Sequence, residues 1–377
     1  MTTRSVAGLA GAVLVLSATV PNGALGAGAV ADGAARPQIA DVDAALEAVA
    51  AVPGVVGVIG EVYYDGKRIG KGSAGSRLLD GKGGAIPSDA RYRIGSQTKQ
   101  MTATIVLQLV AEGKLSLDDK LSQVLPQVAA HDLVERASEI TVRHLIALTS
   151  GIPDYFPLDP LDFTTNYTPT QLVEISRKRQ RPVELGTFNY SNTNYILLGM
   201  IIEKLTGHGL ATEFQRRLFG PLQMTDSYLP TKPPEGIAGP HGHGYWPDDA
   251  GVAHDVDRLN ASAFLGVGGV VSTARDVSRF QRAFQQGKLL PADLQKVITD
   301  PPAGQLPLPP GGPCAGKPEL LPGHAGAAPG FVASTYTSSD GRLQFAVSTT
   351  VADRQRLWQE VSIAVTHAVK AVFCPSR

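Results

Sequence analysis

Strand-forming segments stand at both ends of this chain and helical patterning fills its middle. That order restricts the fold more than any single residue does. Residues 55–64 are apolar and β-branched and close on the turn pair Asp65-Gly66, with a second strand-like run at 67–75. At the far end, residues 330–337 and 343–349 flank Ser338-Ser339-Asp340-Gly341, which reads as a hairpin. Between them, helical periodicity runs from Ser96 to about residue 215, interrupted at Gly113, Gly151, Pro182 and Gly207. Further helices are expected at 39–52, 274–286 and 354–373. The economical architecture is an α/β fold: an antiparallel sheet flanked by N- and C-terminal helices, with an inserted all-α lobe. The α/β part would take residues 39–95 and 265–377, and the lobe residues 96–264. A chain of 377 residues is long enough for both.

Charge excludes one class of function. The chain carries 34 basic and 34 acidic residues with no long run of either sign, whereas nucleic-acid binding calls for a basic stripe. At the N-terminus, Arg4 precedes an apolar stretch at 6–20 and then the small residues Ala27, Ala29 and Ala31. This is the layout of a secretory signal peptide, assigned to residues 1–31, with residues 32–377 acting outside the cytoplasm. No later stretch is apolar for long enough to span a bilayer. The two cysteines, Cys314 and Cys374, suit a single disulfide in an oxidising compartment.

The chemistry is concentrated in three short segments. Ser96-Gln97-Thr98-Lys99 opens a helical run and places a hydroxyl and an amine on one helix face. A serine hydroxyl needs a neighbouring base, and a lysine set among apolar residues is biased towards its neutral form by desolvation. Tyr190-Ser191-Asn192 lies at a loop-to-helix junction. Tyr190 beside an amine would carry a lowered pKa and move protons; Asn192 would order Lys99, hold a substrate amide or cap the helix. His324-Ala325-Gly326 opens a C-terminal strand, where glycine admits close backbone approach and strand N–H groups face an oxyanion.

In order and spacing these segments resemble the S-x-x-K, Y-x-N and [KH]-x-G motifs of the penicillin-recognising serine hydrolases. The similarity points to the branch of class C β-lactamases, D-alanyl-D-alanine carboxypeptidases and esterases, and extends over about residues 40–370. The resemblance implies that Ser96 is acylated, that Lys99 accepts its proton and that Tyr190 shuttles protons. It also implies that Asn192 contacts the substrate amide together with the His324, Gly326 and Ala327 strand. The backbone N–H groups of Ser96 and Ala327 would form the oxyanion hole. No cofactor is implied. The substrate would be a small peptide, ester or β-lactam, with D-alanyl-D-alanine carboxypeptidase chemistry narrowly preferred over esterase or β-lactamase activity. A non-catalytic penicillin or muropeptide sensor is the alternative of another class.

Two departures bear on substrate. Peptidases of this branch carry hydroxyl residues where this chain has Ala325 and Ala327, and those hydroxyls help to hold a substrate carboxylate. Their loss favours esters or other amides. A cluster of His241, His243 and His254 with Asp248 and Asp249 sits in a Gly/Pro-rich loop, and no metal centre is expected there. The chain has no G-x-S-x-G elbow, which argues against an α/β-hydrolase.

Overall fold

The computed structural model describes residues 37–158, 164–231, 236–300, 320–352 and 357–374. The proposed signal peptide (1–31) and Cys314 lie outside them. Helix α1 (Val42–Ala50) starts at Asp41, whose carboxylate accepts from the Asp43 and Ala44 amides. Strands β1 (Val55–Tyr64) and β2 (Lys67–Gly75) follow, joined by the Asp65-Gly66 turn, in which both residues have positive φ. After the helical middle come β3 (Leu320–Ala328), β4 (Phe331–Ser338) and β5 (Leu343–Val351). The five strands form one antiparallel sheet in the order β2-β1-β5-β4-β3. The N- and C-terminal segments therefore meet at its centre, where Val58 pairs with Thr349 and Val62 with Phe345.

Alternation along the strands sorts side chains to two cores. Val58, Val62, Val332, Phe345 and Val347 face one layer, built by α1 and the C-terminal helix α5 (Leu357–Phe373). Ile59, Phe331, Ala333 and Ala346 face the opposite side and join a larger core shared with the helical middle. Helix α2 (Gln97–Ala111) runs through that core with almost every side chain buried, including Met101, Ile105 and Leu109. Helix α3 (Thr193–Thr206) packs beside it, and α4 (Ala274–Gln285) lies against the sheet through Phe280 and Phe284.

Most expected elements are present, with shifted ends. The largest difference is β3. It begins at Leu320, four residues before His324, where the sequence placed its start, and ends at Ala328 as a strand separate from β4. Two short strands, Tyr245–Pro247 and Ala253–Asp255, also pair within the Gly/Pro-rich middle. Cys374 is disulfide-bonded. Among the described residues, no helix is long and apolar enough to cross a membrane.

Candidate active site

Ser96 is the residue before the first turn of α2, with αR backbone angles, and its side chain does not cap the helix. Its hydroxyl is thus left free for other partners. Lys99 Nζ donates to Ser96 Oγ at 3.1 Å and to the Val267 carbonyl at 3.1 Å. Tyr190 Oη lies 2.9 Å from the same Ser96 oxygen. The Lys99 amine also sits 4.9 Å from the centre of the Tyr190 ring and 5.8 Å from that of Tyr195. Lys99 and Tyr190, from two separate segments, therefore converge on the Ser96 oxygen atom.

Burial sets the protonation of this group. Lys99 is 3% exposed, and desolvation brings its pKa down to about 7, against the opposing pull of the Asp154 carboxylate. Burial pushes the Tyr190 phenol up, and the hydrogen bond with Ser96 offsets only part of that. The expected lowering of the Tyr190 pKa is therefore corrected: burial dominates, and Asp154 and Tyr195 add to the rise. Tyr190 rests as a neutral phenol.

Two glycines bring the sheet edge against the serine. Gly95 has φ +55°, and a Cβ there would stand 2.5 Å from the Ala327 carbonyl oxygen. A Cβ on Gly326 would stand 2.1 Å from the Ile94 oxygen and 2.7 Å from the Ser96 amide nitrogen. Real Cβ atoms do not approach so closely, so both positions require glycine. The backbone of Gly326 and Ala327 consequently runs directly over the start of α2, and Ala327 is exposed. His324 belongs to the same strand, pairing with Thr335.

Asp154 is the site residue that the sequence did not disclose. Its Oδ1 accepts from the Phe156 and Asn192 amides at 3.0 and 3.1 Å, and its Oδ2 accepts from Asn192 Nδ2 at 2.9 Å. Asn192 does begin α3, but its side chain turns to Asp154 instead of capping the helix. Partial burial raises the Asp154 carboxyl to about 6, with the amide donors and Lys99 pulling the other way. The loop is held in place by the Pro153 carbonyl, which accepts from Ser176, Ser191 and Thr193. In sequence, Gly151-Ile152-Pro153-Asp154 reads only as a turn. Nothing local ties its carboxylate to a lysine 55 positions earlier.

The histidine-rich loop is a separate arrangement. His241 Nε2 is 3.1 Å from Asp257, His243 Nδ1 is 2.6 Å from Asp255 and His254 Nε2 is 2.9 Å from Asp248. Asp257 holds the His241 pKa above its ordinary value. Asp248 of the expected cluster faces His254, while Asp257 and Asp255 face His241 and His243.

Comparison with known proteins identifies the family and the fold. The Beta-lactamase family model matches residues 42–369. Penicillin-binding protein 4 of Amycolatopsis lactamdurans is 35% identical over 210 residues, 54% of this chain and 53% of that protein. Protein flp of Staphylococcus aureus is 33% identical over 157 residues, 40% of this chain and 30% of its own length. The chain thus spans about half or less of these relatives. Among solved structures, a D-stereospecific amidohydrolase from Streptomyces sp. superposes with a TM-score of 0.74 at 29% identity, covering 89% of this chain and 98% of that one. The D-amino acid amidase of Ochrobactrum anthropi SV3, complexed with L-phenylalanine amide, shares the fold with a TM-score of 0.70 at 23% identity, covering 88% and 98%.

Proposed function

Since the chain belongs to the Beta-lactamase family, we propose that it is a secreted serine acyl hydrolase that cleaves amides through an acyl-enzyme at Ser96, a reading supported by its likeness to a D-stereospecific amidohydrolase. The observation that carries this reading is the convergence of Lys99 Nζ and Tyr190 Oη on Ser96 Oγ, at 3.1 and 2.9 Å. Lys99, with its pKa near 7, takes the Ser96 proton as the oxygen attacks the carbonyl carbon. The backbone N–H groups of Ser96 and Ala327 receive the oxyanion, and Gly95 and Gly326 supply the close approach this needs. Tyr190 passes its proton to the departing nitrogen and recovers one from Lys99. In the second half, water attacks the acyl carbon, gives its proton to the same pair, and Ser96 leaves reprotonated.

Substrate preference follows from charge. The strand that would grip a substrate carboxylate offers Ala325 and Ala327, while Asp154 brings a carboxylate beside Lys99 and Asn192. An anionic substrate end would be repelled there and an ammonium attracted. We therefore favour amides or small peptides bearing a free amine on the acyl side over carboxylate-terminated ones. The similarity to the Streptomyces D-stereospecific amidohydrolase supports this choice. D-alanyl-D-alanine peptides are the second reading, supported by the similarity to penicillin-binding protein 4.

The test uses one purified protein and four substrates: phenylalanine amide (both enantiomers), a D-alanyl-D-alanine peptide, a p-nitrophenyl ester and a chromogenic β-lactam. Turnover of at least one, lost in Ser96→Ala, with an acyl adduct on the wild-type protein by intact mass, is the expected result. Turnover that survives Ser96→Ala overturns the assignment. A stable adduct with no turnover of any substrate would mark a sensor instead.

A further inference from the structure

A cavity of about 360 Å³ opens where α4 crosses the end of the β1–β2 hairpin. It is not part of the cleft at Ser96. Tyr63 and Gln344 in its wall pair with each other, and Gln344 pairs with Thr337, four residues along β4 from Ala333, the partner of Gly326. That is on the order of 13 Å along the strands, with a further three strands to cross at about 4.8 Å each.

The wall is cationic. Arg275, Arg279, Arg282 and Lys288 line it, against the single carboxylate of Asp65. Asp65 is already engaged by Arg342 at 2.5 Å and stands 3.6 Å from Arg282. Arg275 reaches Asp226, which also serves Arg91, and stands 3.4 Å from the buried Asp276, while Arg279 donates only to the Gln223 carbonyl and Lys288 has no carboxylate partner among the described residues. The positive charge facing this space therefore exceeds its local neutralisation. Three buried polar atoms in the same wall have no hydrogen-bond partner: Arg282 Nε, Ser278 Oγ, on a residue 2% exposed, and Gln344 Oε1, on a residue 0% exposed. The Gln344 amide nitrogen is spent on the Gly341 carbonyl, so the free oxygen can only accept.

We propose that this cavity is a binding site for a polyol phosphate monoester. The guanidinium forks suit phosphate oxygens, and a phosphate with a charge near −2 matches the surplus of cations better than a single carboxylate does. A ligand hydroxyl would satisfy Gln344 Oε1, and Ser278 Oγ would donate to the phosphate. Its volume falls in the range of small-molecule sites.

Titration calorimetry of the full chain with glycerol 3-phosphate, inorganic phosphate and glycerol tests this. Glycerol 3-phosphate should bind with a Kd below about 1 mM, inorganic phosphate more weakly and glycerol not at all. Added salt should weaken the binding. The double variant Arg279→Gln/Lys288→Gln should lose at least tenfold in affinity while keeping its Tm and its hydrolase activity. Ser278→Ala should lose a smaller factor. No heat from glycerol 3-phosphate, or equal affinity in the double variant, overturns the site. Phosphate binding as tightly as glycerol 3-phosphate overturns the polyol part of it.

Discussion

A methyl group on Gly326 would stand 2.7 Å from the amide nitrogen of Ser96. The strand that is proposed to receive the oxyanion is therefore seated by the absence of a side chain. Gly326→Ala must push β3 away from α2, and loss of one oxyanion donor costs about 10²–10³ in rate. The variant should fold with a modestly lowered Tm and lose kcat by that order. Steady-state kinetics beside a thermal melt would settle it, and kcat within threefold of wild type would refute the role of this contact.

Lys99 must be neutral to accept the Ser96 proton, so kcat/KM should rise with pH through about 7, where its amine loses the extra proton. Asp154 favours the charged amine. Asp154→Asn removes that influence, lowers the Lys99 pKa further and should move the acidic limb down by about one pH unit. A pH profile of kcat/KM for both proteins gives the sign directly. An upward movement would show that the two groups do not interact as described.

The proton path predicts a split between activity and stability at Tyr190. Its hydroxyl bonds Ser96, while the ring packs beside Lys99. Tyr190→Phe keeps the ring and removes the relay, which should lower kcat by about 10²-fold or more with little change in Tm. Turnover within threefold of wild type on the best substrate would mean that Lys99 works without the phenol.

Asp154 should also read the substrate's amine. Asp154→Asn is expected to lower kcat/KM for an amino acid amide by at least tenfold, since a charged hydrogen bond contributes about 1.5–3 kcal/mol. The N-acetylated amide should lose far less. Equal losses on the two substrates would place the effect in Lys99 or Asn192 alone.

The central sheet supplies a stability test away from the chemistry. Phe345 is fully buried between β1 and the outer helices. Truncation to alanine should cost about 3–5 kcal/mol, read by urea denaturation.

The sequence disclosed the site unevenly, for physical reasons. Ser96 and Lys99 are three residues apart on a helix, so their proximity is a property of helical geometry and is visible in one segment. Tyr190 and Gly326 declare themselves only through motif order, because their approach to Ser96 depends on how α3 and β3 pack on α2. Asp154 was hidden, since a loop carboxylate has no periodicity and its partners Asn192 and Lys99 are distant along the chain. The same reasoning explains β3. It has a proline, two glycines and several alanines in place of a β-branched run, and it is a strand because β4 offers it an edge. The expectation for Tyr190 failed because proximity to a cation is visible in a motif while depth of burial is not.

The pairing of β1 with β5 has a consequence for how the molecule comes into being. Residues nearly 300 positions apart form the middle of the sheet, as Val55 does with Val351. A nascent chain emerging in order from the N-terminus would carry Ser96, Lys99 and Tyr190 long before β5 exists to seat β1 and β4. Ser96 and Lys99 would already share a helix face, yet the sheet that carries Ala327 to them would lack its central strand. On the proposed mechanism the oxyanion hole is completed only once the sheet closes around β5, and contacts of such long sequence separation make that step slow.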